Sequence, residues 1–253
     1  KKHKIRVSEL TKHLDGFKTI SLKEMNNVKL MDRTDTKFVF NKSLLLKILP
    51  SLKNDYKILK VNGNRFSKYN SIYFDTNDFM FYKSHHNGRI NRVKIRFREY
   101  LDSALCFLEI KKKNPKGKTV KNRMIVKKAN RKLSKSNYSF INKYLSDSLD
   151  LNYCHENYFN RITLVNQTIK ERLTIDFDFA FKRHPKKINN DYNNIIIAEL
   201  KQEKLNRNSF FYKMMRENRL RKTGMSKYCF ATSSIFPSLK YNRFKSNFSI
   251  LEK

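Results

Sequence analysis

Several stretches of this chain alternate between charged and apolar residues, a period of two that commits them to β-strands with one polar and one apolar face. Over residues 91–100 one face carries Arg92, Lys94, Arg96 and Arg98, and the other Val93, Ile95 and Phe97. Over 105–113, Glu109, Lys111 and Lys113 alternate with Cys106, Leu108 and Ile110. Arg33, Asp35 and Lys37 alternate with Thr34, Thr36 and Phe38, and Ile197, Glu199 and Lys201 with Ile196, Ala198 and Leu200. Arg172, Thr174, Asp176 and Asp178 alternate with Leu173, Ile175, Phe177 and Phe179. Further strands are expected over 71–75, 118–126 and 227–231, and helices over about 20–29, 42–52, 134–145 and 205–221. Strands with interspersed helices, without an internal repeat or a Ser/Gly/Pro linker, predict an α+β fold: a mainly antiparallel sheet or barrel with packed helices. Alternation leaves two accounts of the charged faces open. One is a sheet wet on one side; the other is a barrel around a polar lumen, its apolar outside covered by helices.

The charge narrows the partners. The chain carries 56 Lys+Arg against 22 Asp+Glu, a formal charge of +34, which implies a polyanion or an acidic surface. Codon bias toward Lys and Asn (39 and 28 residues) accounts for much of the surface lysine. It does not account for arginine, and four of the 17 arginines fall at Arg89, Arg92, Arg96 and Arg98. The 20 Phe and 13 Tyr supply a core and exclude a disordered polycation. Apolar runs such as Ile195-Ile196-Ile197-Ala198 are too short for a membrane helix. Three scattered cysteines exclude a disulfide framework and point to a reducing compartment. No secretory signal opens the sequence, which starts at Lys1 without Met, so a trimmed start is expected. Five dispersed glycines exclude the dinucleotide and P-loop cradles, so any phosphate must be held by side chains.

The charged faces also contain acids: Asp35 between Arg33 and Lys37, Glu109 beside Lys111, Glu199 beside Lys201. Carboxylates would repel phosphate in a nucleic-acid groove. They suit a divalent cation held between them and bound phosphates, or else simple intrastrand ion pairs. Nucleic acid is further disfavoured because the aromatic residues mostly occupy the apolar phase of the strands instead of forming stacking platforms.

A set of strings then resembles the vacuolar transporter chaperone (VTC) domain, the polyphosphate polymerase branch of the triphosphate tunnel metalloenzymes. These are Met31-Asp32-Arg33-Thr34-Asp35-Thr36-Lys37-Phe38, Ser71-Ile72-Tyr73-Phe74-Asp75-Thr76, and Tyr82 with His85-His86-Asn87-Gly88-Arg89. Next come Lys94-Ile95-Arg96-Phe97-Arg98-Glu99-Tyr100, Phe107-Leu108-Glu109-Ile110-Lys111 and Gly117-Lys118-Thr119-Val120-Lys121-Asn122-Arg123. The second half adds Tyr158-Phe159-Asn160-Arg161, Glu171-Arg172-Leu173-Thr174-Ile175-Asp176, Ala198-Glu199-Leu200-Lys201 and Ser226-Lys227-Tyr228. Their order and spacing look most like the bacterial members. The resemblance implies an N-terminal helical segment at 1–27, a tunnel domain at 28–232 and an unmatched tail at 233–253. The implied domain is an eight-stranded antiparallel tunnel barrel with a basic lumen and surrounding helices.

By the same resemblance the phosphate-gripping positions are Lys37, Arg96, Arg98, Lys111, Lys121, Arg161, Arg172 and Lys227, with Lys37, Arg96, Arg98 and Lys111 as the catalytic set. Arg33, Arg89, Lys94, Arg123 and Lys201 join them as phosphate-binding candidates. Glu199 is the implied ligand for Mn²⁺ or Mg²⁺, and Glu109 a helper by its strand face. The paired-glutamate opening of the hydrolytic branch is replaced by Arg33-x-Asp35-x-Lys37, which counts against a simple triphosphatase. The implied activity is transfer of the γ-phosphate of ATP to polyphosphate, and the terminal phosphate of such a chain is already an anion that needs no general base. A non-catalytic polyphosphate or nucleotide sensor, a triphosphatase and a nucleic-acid module are the alternatives. The setting expected is the cytoplasm, with a membrane-protein partner at the inner face of a membrane left open. His85 and His86 are expected to stabilise a turn, Lys227 to sit near a strand end, and Tyr73 and Asp75 to be barrel hydrogen-bonding residues.

Overall fold

The computed structural model describes residues 7–27, 34–114, 118–145, 149–189 and 192–245. The elements are, in chain order, α1 (Val7–Asp15), β1 (Thr19–Ile20), α2 (Leu22–Asn27), β2 (Thr34–Asn41), α3 (Lys42–Leu52), β3 (Lys57–Leu59) and β4 (Ser67–Thr76). There follow α4 (Met80–His86), β5 (Val93–Tyr100), β6 (Leu105–Lys113), β7 (Thr119–Val126), α5 (Lys135–Asn142) and β8 (Leu151–Asn166). The chain continues through β9 (Glu171–Lys182), β10 (Ile195–Gln202), α6 (Phe210–Glu217), α7 (Lys227–Ile235) and a 3-10 turn at Asn242–Phe244. Among the described residues no helix is long and apolar enough to cross a membrane.

Eight strands pair antiparallel in the order β2-β10-β9-β8-β4-β5-β6-β7, with β3 paired to β8 and β1 to β3. The expected α+β class and antiparallel sheet are therefore present. The expected closure is not: among the described residues no pairing joins β2 to β7, so they form an open, curled sheet. Its ends nonetheless approach each other across the concave side. The electrostatic neighbours of Lys111 on β6 include Glu199 on β10 and Lys37 on β2, from the far end of the strand order. The segment before α7 lies along the edge of β2, where Thr223 N donates to Lys37 O at 2.8 Å.

The apolar faces of the strands form the convex side, and helices cover it. Phe38, Ile175, Ala198 and Leu200 pack with Leu45, Leu49 and Leu52 of α3 and Phe211 and Met215 of α6. Ile72, Ile95, Phe97, Leu108 and Ile110 pack with Phe81 of α4 and Ile141 of α5. The concave side is polar over one half and apolar over the other, and a bulge produces the change. Tyr158↔Ala180 and Asn160↔Phe177 leave one extra residue in β9, where Asp178 takes a left-handed φ of 51°. One extra residue shifts the alternation. Arg172, Thr174 and Asp176 face inward before it; Phe179 and Phe181 join the inner cluster after it.

That apolar half seats α7. Phe230 and Ala231 pack against Val39, Phe179, Phe181, Ile195 and Ile197. His155 Nε2 lies 3.0 Å from Thr232 Oγ1, and the Tyr228 hydroxyl donates to Asp75. The strand expected over 227–231 is thus a helix. Ser226 caps it by accepting from Cys229 N, and the run Tyr228–Ser233 is buried on every side, which erases any alternation. Three other expectations are corrected. Ile20 belongs to β1 and the helix after it is described over Leu22–Asn27, residues 28–29 lying outside the described residues; the 205–221 helix is confined to Phe210–Glu217; and His85 and His86 stand in the last turn of α4.

Candidate functional site in the concave face

The site is built from the inward phase of the eight-strand row and the first turn of α7. Lys37 comes from β2, Glu199 and Lys201 from β10, Arg172 and Asp176 from β9, and Arg161 from β8. Lys94, Arg96 and Arg98 come from β5, Glu109 and Lys111 from β6, and Lys121 and Arg123 from β7. Lys227 enters from the N-terminus of α7, where the bend of the sheet brings it beside Asp176 and 4.4 Å from the Phe159 ring centre.

Three carboxylates organise most of these cations. Glu199 accepts from Lys37 through Oε1 and from Lys201 through Oε2, each at 2.7 Å. Lys201 also stands 3.4 Å from Asp35. Glu109, 2% exposed, accepts from Arg96 at 2.6 Å and pairs with Lys121. Asp176, 3% exposed, takes the Arg161 fork at 2.5 and 2.7 Å and pairs with Lys227. Burial alone would raise these acids; the paired cations win and hold Glu109 and Asp176 down at about 2, with Glu199 well below the usual carboxylate range. One of these contacts, Glu199–Lys201, is an intrastrand pair; Glu109 pairs across strands and not with Lys111.

Other cations form no ion pair among the described residues. Arg98 is 6% exposed and lies over the rings of Tyr69 and Phe159 at 5.2 and 5.3 Å, and its Nε has no hydrogen-bond partner. Burial and the neighbouring Arg96 lower its pKa. Ser71, directly opposite Arg98 in register, is fully buried and its hydroxyl is also unpartnered. Such atoms are costly unless something binds them, so the row Arg98–Ser71 marks where the site expects a ligand or water. Lys111 is reached by solvent but has chain around it. Enclosure, then Lys94, with Arg96 and Lys37 beyond it, pulls its pKa down to about 7 against the opposing pull of Glu199. Lys94 is likewise lowered, chiefly by burial, and donates to Ser226 at 2.9 Å.

The concave face therefore brings together Lys37, Lys94, Arg96, Arg98, Lys111, Lys121, Arg161, Lys201, Lys227, Glu109 and Glu199, with Arg172 next to Lys201 in register. Arg123 is at its rim, exposed and 4.7 Å from the Phe107 ring centre. Arg89 stands apart: it is exposed in the turn after α4, and its side chain makes no ion pair or hydrogen bond among the described residues. Arg33 lies outside the described residues.

Sequence reasoning did not select Asp176, Tyr69, Phe159 or Ser71 as site residues. Asp176 was in view through its alternation with Arg172. Tyr69 and Phe159 stack with centres 5.1 Å apart and form a platform for Arg98 and Arg161 that no linear spacing announces. Tyr73 does hydrogen-bond within the sheet face, accepting from Arg96 at 3.0 Å. Asp75 instead anchors α4 and α7, accepting from Phe81 N, Tyr82 N and Tyr228.

Among the described residues no cluster of three or more His, Cys, Asp or Glu could hold a metal alone. The donor set fits a different arrangement. Hard divalent cations take oxygen ligands, and Mg²⁺ commonly uses one or two carboxylates, with phosphates and water supplying the rest. Glu199 and Asp35, which share Lys201, offer that number.

No functionally curated protein matches the sequence. Solved structures similar to the chain include the putative adenylyl cyclase HpAC1 from Hippeastrum, described as having a dominant triphosphatase activity, at 12% identity, covering 81% of this chain and 96% of that one with a TM-score of 0.49. The PH1819 protein from Pyrococcus horikoshii OT3 is similar at 11% identity, over 80% and 99% of the two chains, with a TM-score of 0.46. A putative adenylate cyclase from Vibrio parahaemolyticus follows at 11%, over 77% and 94%, with a TM-score of 0.43. The VTC domain profile matches residues 32–236, most of the sequence and every strand from β2 to β10. This chain belongs to the VTC domain family.

Proposed function

We propose that the concave face binds ATP and polyphosphate and transfers the γ-phosphate of ATP to the end of a polyphosphate chain. The observation that supports this reading best is the contrast inside the site. Arg96, Arg161 and Lys227 are fixed by buried carboxylates, whereas Arg98 and Lys111, beside them, form no ion pair among the described residues. Fixed cations define a geometry and uncompensated ones await an anion.

Phosphoryl transfer asks a protein for alignment and charge neutralisation more than for covalent chemistry. Arg96 and Arg98, on adjacent inward positions of β5, face the transferred phosphoryl group. Lys37 and Lys111 approach it from opposite walls. Arg161, Arg172 and Lys227 hold the flanking phosphates, and Lys94, Lys121, Lys201 and Arg123 extend the grip. Glu109 acts through the two cations it positions, Arg96 and Lys121. Glu199, with Asp35, would hold Mn²⁺ or Mg²⁺, which would supply neutralisation of phosphate-oxygen charge. The acceptor is a phosphate oxygen anion, so no side chain need remove a proton.

Incubation with ATP and Mn²⁺, followed by gel analysis, tests the reading. A ladder of polyphosphate is expected. Release of free phosphate alone would identify a triphosphatase, and binding without turnover a sensor. Glu199→Gln should lose the metal-dependent product while keeping triphosphate binding.

A further inference from the structure

A pocket of about 640 Å³ opens beside the site, against the segment that precedes α7. Arg92, Arg219, Arg221, Lys222 and Arg243 line it together with His85, and no acidic residue does. Among the described residues none of these five cations forms an ion pair, in contrast to the carboxylate-bound cations of the concave face. Arg243 is held in place by a close approach. Its guanidinium lies where a methyl on Gly88 would stand 2.1 Å from Nη1, and that nitrogen is 3.4 Å from His86 O.

The pocket continues the site instead of lying apart from it. Arg92 is the next alternating residue after Arg98, Arg96 and Lys94. Ser226, in the pocket wall, accepts from Lys94. The electrostatic neighbours of His85, also in the wall, are Lys94, Arg92 and Lys111. From Arg98 to Arg92 the strand rises roughly 20 Å at about 3.4 Å per residue, further than a triphosphate reaches. A neutral nucleoside would leave five crowded cations uncompensated, whereas several phosphate charges would relieve their repulsion.

We infer that this pocket is a second polyanion site, taking the stretch of a linear polyphosphate that runs beyond the units held by Arg96 and Arg98. The inference rests on the polyphosphate reading above. Its test is calorimetric titration of the full chain with inorganic triphosphate and with a polyphosphate several tens of units long. The variant combines Arg221→Ala, Lys222→Ala and Arg243→Ala, all exposed positions. The unaltered protein should bind the long chain at least tenfold more tightly than triphosphate. The triple variant should lose that difference, keep its triphosphate affinity within twofold, and show a shallower salt dependence for the long chain.

Unchanged long-chain affinity in the triple variant would overturn the inference, and so would an equal loss for both ligands. A fall in ATP affinity with the long chain unaffected would also overturn it, by assigning the pocket to a nucleoside. Failure of the polyphosphate reading itself would look different: triphosphate would not bind the unaltered protein, or its binding would ignore Arg98→Ala.

Discussion

Arg98 and Lys111 are the two positions where a single side chain reports most directly on the site. Arg96 is less suitable, because removing it would leave Glu109 buried beside Lys121 alone and so disturb the fold. Arg98 makes no ion pair with Glu109 among the described residues and supports it only through space. Arg98→Ala should lower triphosphate affinity tenfold or more, since a hydrogen bond to a charged group contributes about 1.5–3 kcal/mol and about 1.4 kcal/mol is a factor of ten. An unchanged affinity in calorimetry would take Arg98 out of the site. Lys111 makes a different statement. Its pKa is pulled down to about 7, so it loses charge as the pH rises above neutrality. A bound polyanion raises that pKa and recharges the amine. Binding at pH 8 should therefore take up protons, measured as a dependence of the heat on buffer ionisation enthalpy, and Lys111→Met should reduce the uptake.

At the scale of elements, α7 decides what the sheet can enclose. The bulge at Asp178 turns Phe179 and Phe181 inward, and these rings with Val39, Ile195 and Ile197 receive Phe230 of α7. The seated helix closes one half of the concave face and delivers Lys227 to Asp176 in the other half. Phe230 is 2% exposed, and truncating a buried Phe to Ala costs about 3–5 kcal/mol. Phe230→Ala should lower the melting temperature on the order of 10 °C. It should also weaken triphosphate binding, because α7 carries Lys227. Intact binding with a lowered melting temperature would show that α7 is a structural plug alone.

For the molecule as a whole, crowded cations make the anion part of the stability balance. Two unit charges 4 Å apart at an effective dielectric of 20 repel by about 4 kcal/mol before screening. Triphosphate at 100 times its dissociation constant should add about 2.7 kcal/mol by mass action. For a domain of this size that is a rise of roughly 5–10 °C in melting temperature. A single-stranded oligonucleotide at equal phosphate concentration should raise it far less at physiological salt, since its sugars and bases do not fit between the walls that Lys111 and Lys37 approach from opposite sides. Equal shifts would favour a nucleic-acid module.

Alternation by itself determined which side chains share a face. Lys94, Arg96 and Arg98 point inward, and Val93, Ile95 and Phe97 outward, because the pleat admits no other arrangement. The VTC resemblance named most of the cations that the concave face assembles. Whether the strand order closes into a barrel was not legible, because closure depends on pairing between strands far apart in the sequence; the structure leaves β2 and β7 as edges. The phase change in β9 was hidden because Asp178 continues the alternation on paper, and only an extra residue in the ladder with φ of 51° reverses it. The helical state of Lys227–Ile235 was hidden because burial from several directions removes the periodic signal that reveals a half-exposed helix. The same tertiary contacts decided which cations are fixed and which are uncompensated. Ion pairing depends on distances across strands, and spacing along the chain does not contain them.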